Sequence, residues 1–98
     1  MIKKNYSKTA AQCRVTFQYP NEEDAGTVAL AGEFNDWDIN ANQMKKRKNG
    51  NFSTTITLKA GHSYRFRYVV DGERWCNEMD ADGYVYNCHG DEDCVVIV

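Results

Sequence analysis

The stretch YRFRYVVDGERW, residues 64–75, decides the fold. Aromatic or aliphatic side chains occupy every second position at its start: Tyr64, Phe66, Tyr68 and Val70. Because a strand sends alternate side chains to opposite faces, this pattern predicts a strand with one aromatic core face and one polar face. The Asp-Gly pair that follows favours a tight turn, so the chain is expected to return as a hairpin.

The outer side of this hairpin carries three side chains whose role the pattern leaves open. Arg65 and Arg67 have the parity opposite to the aromatic residues. Solvated arginines are the usual case at such positions, and ligand contacts are the alternative. Trp75 comes just after the turn, where its ring is either a core anchor or a displayed binding surface. Whether this hairpin forms a binding site depends on which of these alternatives holds.

Further strands are predicted from alternation or from β-branched, apolar composition at residues 14–19, 27–31, 52–58, 84–86 and 94–98. The last of these is apolar throughout, which predicts cover on both of its faces. About seven short strands with turns between them, and no convincing helix, predict an all-β, immunoglobulin-like β-sandwich. A chain of 98 residues has room for one core. We expect a polar lead-in at residues 1–10 and one domain over residues 11–98.

Composition excludes several classes of function. The formal charge of −2 and the isoelectric point near 5.6 argue against a nucleic-acid-binding protein. No apolar run approaches the roughly 18 residues that a membrane span needs. The first residues include no apolar segment typical of a secretory signal. Four cysteines are too few for a disulfide scaffold, so we expect reduced thiols in the cytoplasm.

The loop GEFNDWDINANQ, residues 32–43, shows neither helical nor strand periodicity. It carries Trp37, and a tryptophan in a polar loop either fills a hole or meets a ligand. Together with Trp75 it forms the leading candidate site, because an indole offers a flat apolar face to the C–H-rich face of a sugar ring. A core position for one or both rings stays open.

Catalytic and metal chemistry find little support. Glu33, Asp36 and Asp38 invite a glycosidase interpretation, but that chemistry needs an enclosing cleft and an acid with a raised pKa. The acidic C-terminal region contains no EF-hand loop, and its cysteines and histidine lack the paired spacing of a zinc site. We therefore expect no enzyme activity, no metal and no cofactor.

Four segments resemble, in order and spacing, the family 48 carbohydrate-binding module: VALAGEFNDWD, GNFSTTITL, GHSYRFRYVVDGERW and GDEDCVVIV. This early-set domain precedes the catalytic barrel of isoamylases and branching enzymes. It also forms the glycogen-binding part of the AMP-activated kinase beta subunit. The resemblance covers about residues 11–98 and implies a non-catalytic, immunoglobulin-type sandwich that binds α-glucans such as glycogen or starch fragments.

The resemblance also implies a set of site residues. Trp37 and Trp75 match the two sugar-stacking tryptophans, and Arg65 matches a basic residue that bonds sugar hydroxyls. His89 stands where the family often has a large apolar side chain, and Asp93 where it commonly has a sugar-bonding asparagine. Aspartate keeps the acceptor, loses the amide donor and adds a charge. These five residues form the predicted carbohydrate site.

Two functions follow from these observations. The first is α-glucan binding through the two tryptophans. The alternative is a diverged early-set interaction domain that no longer binds sugar and that dimerises or docks on a glycan-active enzyme. The residues at His89 and Asp93 motivate this alternative, and a minimal hydrolase remains a third interpretation.

Overall fold

The computed structural model describes residues 1–21, 24–88 and 90–98, and these ranges contain nine strands in two antiparallel sheets. The strands are β1 (Ile2–Tyr6), β2 (Gln12–Tyr19), β3 (Val28–Gly32), β4 (Lys45–Lys46), β5 (Phe52–Lys59), β6 (Ser63–Val70), β7 (Arg74–Cys76), β8 (Gly83–Tyr86) and β9 (Glu92–Ile97). A single 3₁₀ turn, Glu33–Asn35, follows β3 within the described ranges. The predicted all-β sandwich is confirmed.

One sheet has the order β1-β2-β5-β4, and the other has the order β3-β6-β9-β8 with β7 also paired to β6. The core lies between the sheets and is built from alternate residues, as the two-residue period requires. Phe17 of β2 and Phe66 of β6 are both fully buried, with ring centroids 5.0 Å apart in an edge-to-face arrangement. Alternation in β2 and β6 therefore indicates correctly which side chains form the core.

Two strands were missed by the sequence analysis. β1 lies inside the predicted lead-in and pairs with β2 from Ile2 opposite Phe17 to Tyr6 opposite Cys13. Its polar, mostly exposed side chains carry no alternation, because an edge strand with solvent beside it needs little apolar cover. β4 is only two residues long, which is too short to show a period.

Two burial predictions were also wrong. Ile97 of β9 is exposed, so the closing strand is not covered on both faces at its end. Arg67 was expected to be a solvated strand arginine, but only 8% of it is exposed. Arg67 is buried because of the tertiary structure, since the strands β7 and β9, which both pair with β6, separate at this position.

This divergence positions the site. β3 pairs with β6 along one edge, from Gly32 opposite Phe66 to Val28 opposite Val70. Along the other edge, β9 pairs with β6 only as far as Phe66, and β7 pairs only from Tyr68 onward. Arg67 lies between these two pairings, at a fork where β7 and β9 separate.

None of the helical structure found in the described ranges is long and apolar enough to cross a membrane.

Candidate functional site

An open groove of about 760 Å³ is lined mainly by residues of the five-stranded sheet and of the loops that join its strands. The lining side chains are Glu33, Trp37, Arg65, Arg67, Trp75, Tyr86, Asn87, Cys88, Asp91 and Asp93. Four of the five residues predicted from the sequence are therefore brought together: Trp37, Trp75, Arg65 and Asp93. The fifth, His89, lies outside the described residues.

Trp37 reaches the groove through a sharp reversal of the chain after β3. Asp36 and Trp37 have φ values of 55° and 60°, in the left-handed region that non-glycine residues rarely adopt. The Trp37 N–H donates to the Gly32 carbonyl at 2.9 Å, which closes the reversal. The indole packs against the small apolar cluster of Ala29, Ala31 and Val69 and is half-buried. Trp37 thus rests on the sheet rather than in the main core.

Asn35 clamps the base of this loop. Its side-chain oxygen accepts from the Gly32 N–H at 3.0 Å, and its amide donates to the Leu30 carbonyl at 2.9 Å and to Asn42 Oδ1 at 2.8 Å. A side chain at Gly32 would also collide with the strand behind it, since its Cβ would lie 2.6 Å from the Arg65 carbonyl oxygen. The loop that carries Trp37 is therefore tightly fixed to β3 and β6.

Trp75 lies on β7 directly opposite Val69 and is 40% exposed. Its ring centroid is 6.4 Å from that of Trp37, with 43° between the ring planes. The two indoles form an angled pair at the groove, which we call the tryptophan pair. Part of each side chain stays accessible, since Trp75 is 40% exposed and Trp37 is half-buried.

Arg67 ties together the two sides of the fork. Its guanidinium donates to the Trp75 carbonyl at 3.1 Å and to Asn77 Oδ1 at 2.9 Å on the β7 side. On the β9 side it donates to Asp91 Oδ2 at 3.1 Å. The hydrogen bond from the Glu92 N–H and the Arg67 charge lower the pKa of Asp91 below its ordinary value. Arg67 therefore holds the backbone of Trp75 and the loop before β9 in one arrangement.

The far wall of the groove is a hydrogen-bonded set of polar side chains. Asn87 is hydrogen-bonded to Asp91, whose backbone N–H donates to Asn87 Oδ1 at 3.1 Å. The Asn87 amide also donates to Asp93 Oδ1 at 3.1 Å. Asp93 is almost completely buried, and its carboxylate accepts this hydrogen bond from Asn87. Asn87 thus places an amide donor next to Asp93, whose own side chain lacks the donor that an asparagine would have.

Arg65 differs from Arg67 although both have the same parity. Its backbone N–H donates to Glu33 Oε1 at 2.6 Å, while its side chain is exposed at the groove. Within the described ranges, the Arg65 guanidinium makes no hydrogen bond or ion pair. Arg65 is therefore a cation that is available to a ligand, whereas Arg67 is committed to the protein.

Sequence reasoning missed Tyr86, Asn87 and Asp91 as groove residues and misjudged Arg67. The loop around Asn87 shows no period, and only the pairing of β8 with β9 brings it to the groove. The polar, irregular composition of this loop was the signal that could have indicated a site.

The thiols and carboxylates of the described residues give no sign of a metal site. All four cysteines are free. Cys94 is buried, which raises its pKa to about 11, whereas Cys88 is exposed at the groove. In the part of the chain that the structure describes, no group of three His, Cys, Asp or Glu residues could hold a metal ion. Asp38 of the proposed carboxylate trio accepts from the Asn40 N–H as a local turn contact.

A β-sandwich with an open groove lined by aromatic and polar side chains is a ligand-recognition module in its architecture. The family described as the glycogen recognition site of AMP-activated protein kinase matches residues 13–90, and the chain belongs to this family. The resemblance to a family 48 carbohydrate-binding module is thereby confirmed. The match extends from β2 through the loop after β8 and includes both tryptophans. A comparison with curated protein sequences finds no match.

Proposed function

We propose that the protein is a non-catalytic module that binds α-glucan oligosaccharides, with sugar rings stacking on the tryptophan pair. The observation that carries this proposal is the angled placement of Trp37 and Trp75, with ring centroids 6.4 Å apart, at one groove. Because α-1,4-linked glucans curve along their length, successive sugar rings suit an angled platform better than a flat one. Membership of a glycogen-recognition family supports the same ligand class.

Polar groups beside the rings supply the directional contacts that sugar hydroxyls need. Arg65 offers unused donors, and the carboxylates of Glu33 and Asp93 offer acceptors. Hydroxyl groups are both donors and acceptors, so a mixed set of this kind can bind them in several orientations. In our proposal Arg65 bonds ligand hydroxyls directly and Asp93 lines the far wall of the groove. His89 stays a ligand contact expected from the sequence and lies outside the described residues.

The expected affinity is modest. A sugar face that covers about 100 Å² of indole gains roughly 2.5 kcal/mol at ~25 cal/mol/Å². Two such faces contribute about 5 kcal/mol, and with the polar contacts offsetting the cost of association they give a Kd on the order of 0.1 to 1 mM.

The test is calorimetric titration of the protein and its Trp75→Ala variant with maltoheptaose, with cellohexaose as the control ligand. We expect the protein to bind maltoheptaose in the stated range, and the variant to bind at least about 10-fold more weakly, by the area argument above. Tyr6→Ala is the matched control, because Tyr6 is a similarly exposed aromatic on the other sheet. Equal binding of both ligands, or undisturbed binding by Trp75→Ala, contradicts the proposal.

Trp37 needs a different substitution because it also packs on Ala29, Ala31 and Val69. Trp37→Ala removes part of this packing as well as the stacking face, so its effects on binding and stability are mixed. Trp37→Phe keeps an aromatic ring on the cluster while reducing the stacking area. We expect it to weaken maltoheptaose binding with less loss of stability than Trp37→Ala.

A second function is favoured by the exposure of the aromatic residues at the groove. Trp75 and Tyr86 are both exposed, and aromatic surfaces also suit protein interfaces. In this function the module dimerises or docks on a glycan-active enzyme in the cytoplasm, where the four cysteines stay reduced. Sedimentation velocity at high concentration tests self-association, and a monomer that binds maltoheptaose supports the first function instead.

A further inference from the structure

Tyr86 is the most exposed aromatic side chain at the groove, with 77% of its surface accessible. Among the described residues, it makes neither a hydrogen bond through its hydroxyl nor a contact with another aromatic ring. Within the described ranges, neither a hydroxyl hydrogen bond nor an aromatic contact therefore accounts for the position of this ring. Its neighbours in the groove are the groups that bind sugars in the proposed function.

The backbone beneath Tyr86 is nevertheless held firmly. Tyr86 is the last residue of β8 and pairs with Glu92 of β9. The next residue, Asn87, donates its backbone N–H to the Asp91 carbonyl at 2.8 Å and bonds Asp93 through its side chain. A ring on a fixed backbone loses little further freedom when a ligand covers it.

Tyr84 shows what a structural tyrosine on the same strand looks like. It lies two residues earlier with the same parity, and its hydroxyl donates to the Glu78 carbonyl. It does not line the groove. The two tyrosines therefore differ in their position relative to the groove and in whether the hydroxyl has a hydrogen-bond partner.

From this we infer that Tyr86 is a third sugar-contacting ring, which extends the groove beyond the tryptophan pair and makes affinity depend on glucan length. The inference rests on the proposed function. A short oligosaccharide covers the tryptophan pair alone, whereas a longer one also reaches Tyr86 on the β8 side of the groove. The ligand class is accordingly a glucan chain of several residues rather than a disaccharide.

The experiment compares maltotriose and maltoheptaose as ligands of the protein, Tyr86→Ala and Tyr86→Phe by calorimetry. We expect Tyr86→Ala to weaken maltoheptaose binding about 5- to 50-fold, which is what removing one partly covered ring face predicts. Maltotriose binding should stay within about 2-fold, and Tyr86→Phe should keep most of the affinity because the ring remains. Tyr84→Ala is the matched control and should leave the ratio of the two affinities unchanged.

Each other result overturns the inference. Unchanged maltoheptaose binding in Tyr86→Ala excludes a contact, and an equal loss for both ligands excludes a length-dependent one. A loss in Tyr86→Phe as large as in Tyr86→Ala assigns the contact to the hydroxyl and not to the ring. If the unaltered protein binds neither oligosaccharide, the proposed function itself has failed, which is a distinct outcome. Thermal unfolding of every variant checks that the fold is intact.

Discussion

The two faces of β6 contribute differently to the molecule, although their residues alternate along eight positions of one strand. Phe66, Tyr68 and Val70 face the other sheet and are almost completely buried. Arg65 and Arg67 face the groove, where one is exposed and the other is held by three hydrogen bonds. The inner face thus builds the core, and the outer face carries the groove residues to which our proposal assigns ligand binding. Substitutions of opposite parity should therefore separate stability from ligand affinity.

The largest expected effect is on stability, from Phe66→Ala. Phe66 is fully buried and packs against Phe17 and Tyr68. Its loss leaves a cavity and should lower the free energy of unfolding by about 3–5 kcal/mol. Arg65→Ala, one residue away, is exposed and should change it by less than about 0.5 kcal/mol. Urea denaturation measures both, and comparable losses would remove the distinction between the faces.

Gly32→Ala should come next. The added Cβ would lie 2.6 Å from the Arg65 carbonyl oxygen and 2.9 Å from Phe66 Cβ, so β3 or β6 must shift. We expect a loss of about 1–3 kcal/mol in the free energy of unfolding, together with weaker glucan binding because the Trp37 loop starts here. Gly83→Ala is the control, since its Cβ would meet Val95 at an ordinary 3.9 Å. If Gly32→Ala changes neither the free energy of unfolding nor glucan binding, the close approach at Gly32 does not fix the loop.

Arg67 lies on the outer face but is buried and bonds both sides of the fork, so its substitution should affect both stability and binding. Arg67→Lys keeps the charge, but one ammonium cannot reach the three acceptors that the planar guanidinium bonds. We expect about 1–2 kcal/mol less stability in urea denaturation. We also expect weaker maltoheptaose binding, because the Trp75 backbone and the Asp91 loop are released. Arg65→Lys should leave stability unchanged, and equal stability losses in the two variants would show that the fork does not need Arg67.

The smallest expected effect is a pH dependence that arises from Asp91. Its folded-state pKa is lowered by the Glu92 N–H and by Arg67, so its contribution is complete above the ordinary aspartate pKa. The contribution is lost as pH falls through the lowered folded-state value. Asp91→Asn should therefore show a shallower loss of stability than the unaltered protein between about pH 5 and pH 2. Parallel curves in urea denaturation would show that the carboxylate contributes nothing.

The inner face was predictable because it depends on local rules. Alternation along β6 is visible in the sequence, and the turn at Asp71 and Gly72 forms as predicted, with positive φ at both residues. The Asp71 carboxylate adds contacts that alternation does not show, since it accepts from the N–H groups of Gly26 and Thr27. A turn residue thus also anchors the start of β3.

The outer face was only partly predictable. Trp37 and Trp75 were proposed as a pair from the chemistry of their indoles, and the family resemblance then implied sugar stacking, because no sequence period relates residues 38 positions apart. The burial of Arg67 depends on where β9 stops pairing and β7 begins, and that is a property of the whole sheet. Tyr86 reaches the groove for the same kind of reason, through the pairing of β8 with β9.

The most direct test of the central claim, that α-glucan occupies this groove, uses the exposed thiol of Cys88 in the groove lining. Alkylation by iodoacetamide is followed by mass spectrometry with and without saturating maltoheptaose. Cys76 is the internal control, because it is partly accessible and packs against the core instead of lining the groove. We predict that maltoheptaose slows alkylation of Cys88 several-fold and leaves Cys76 unchanged, while cellohexaose affects neither. An unchanged Cys88 rate at saturation would contradict the account.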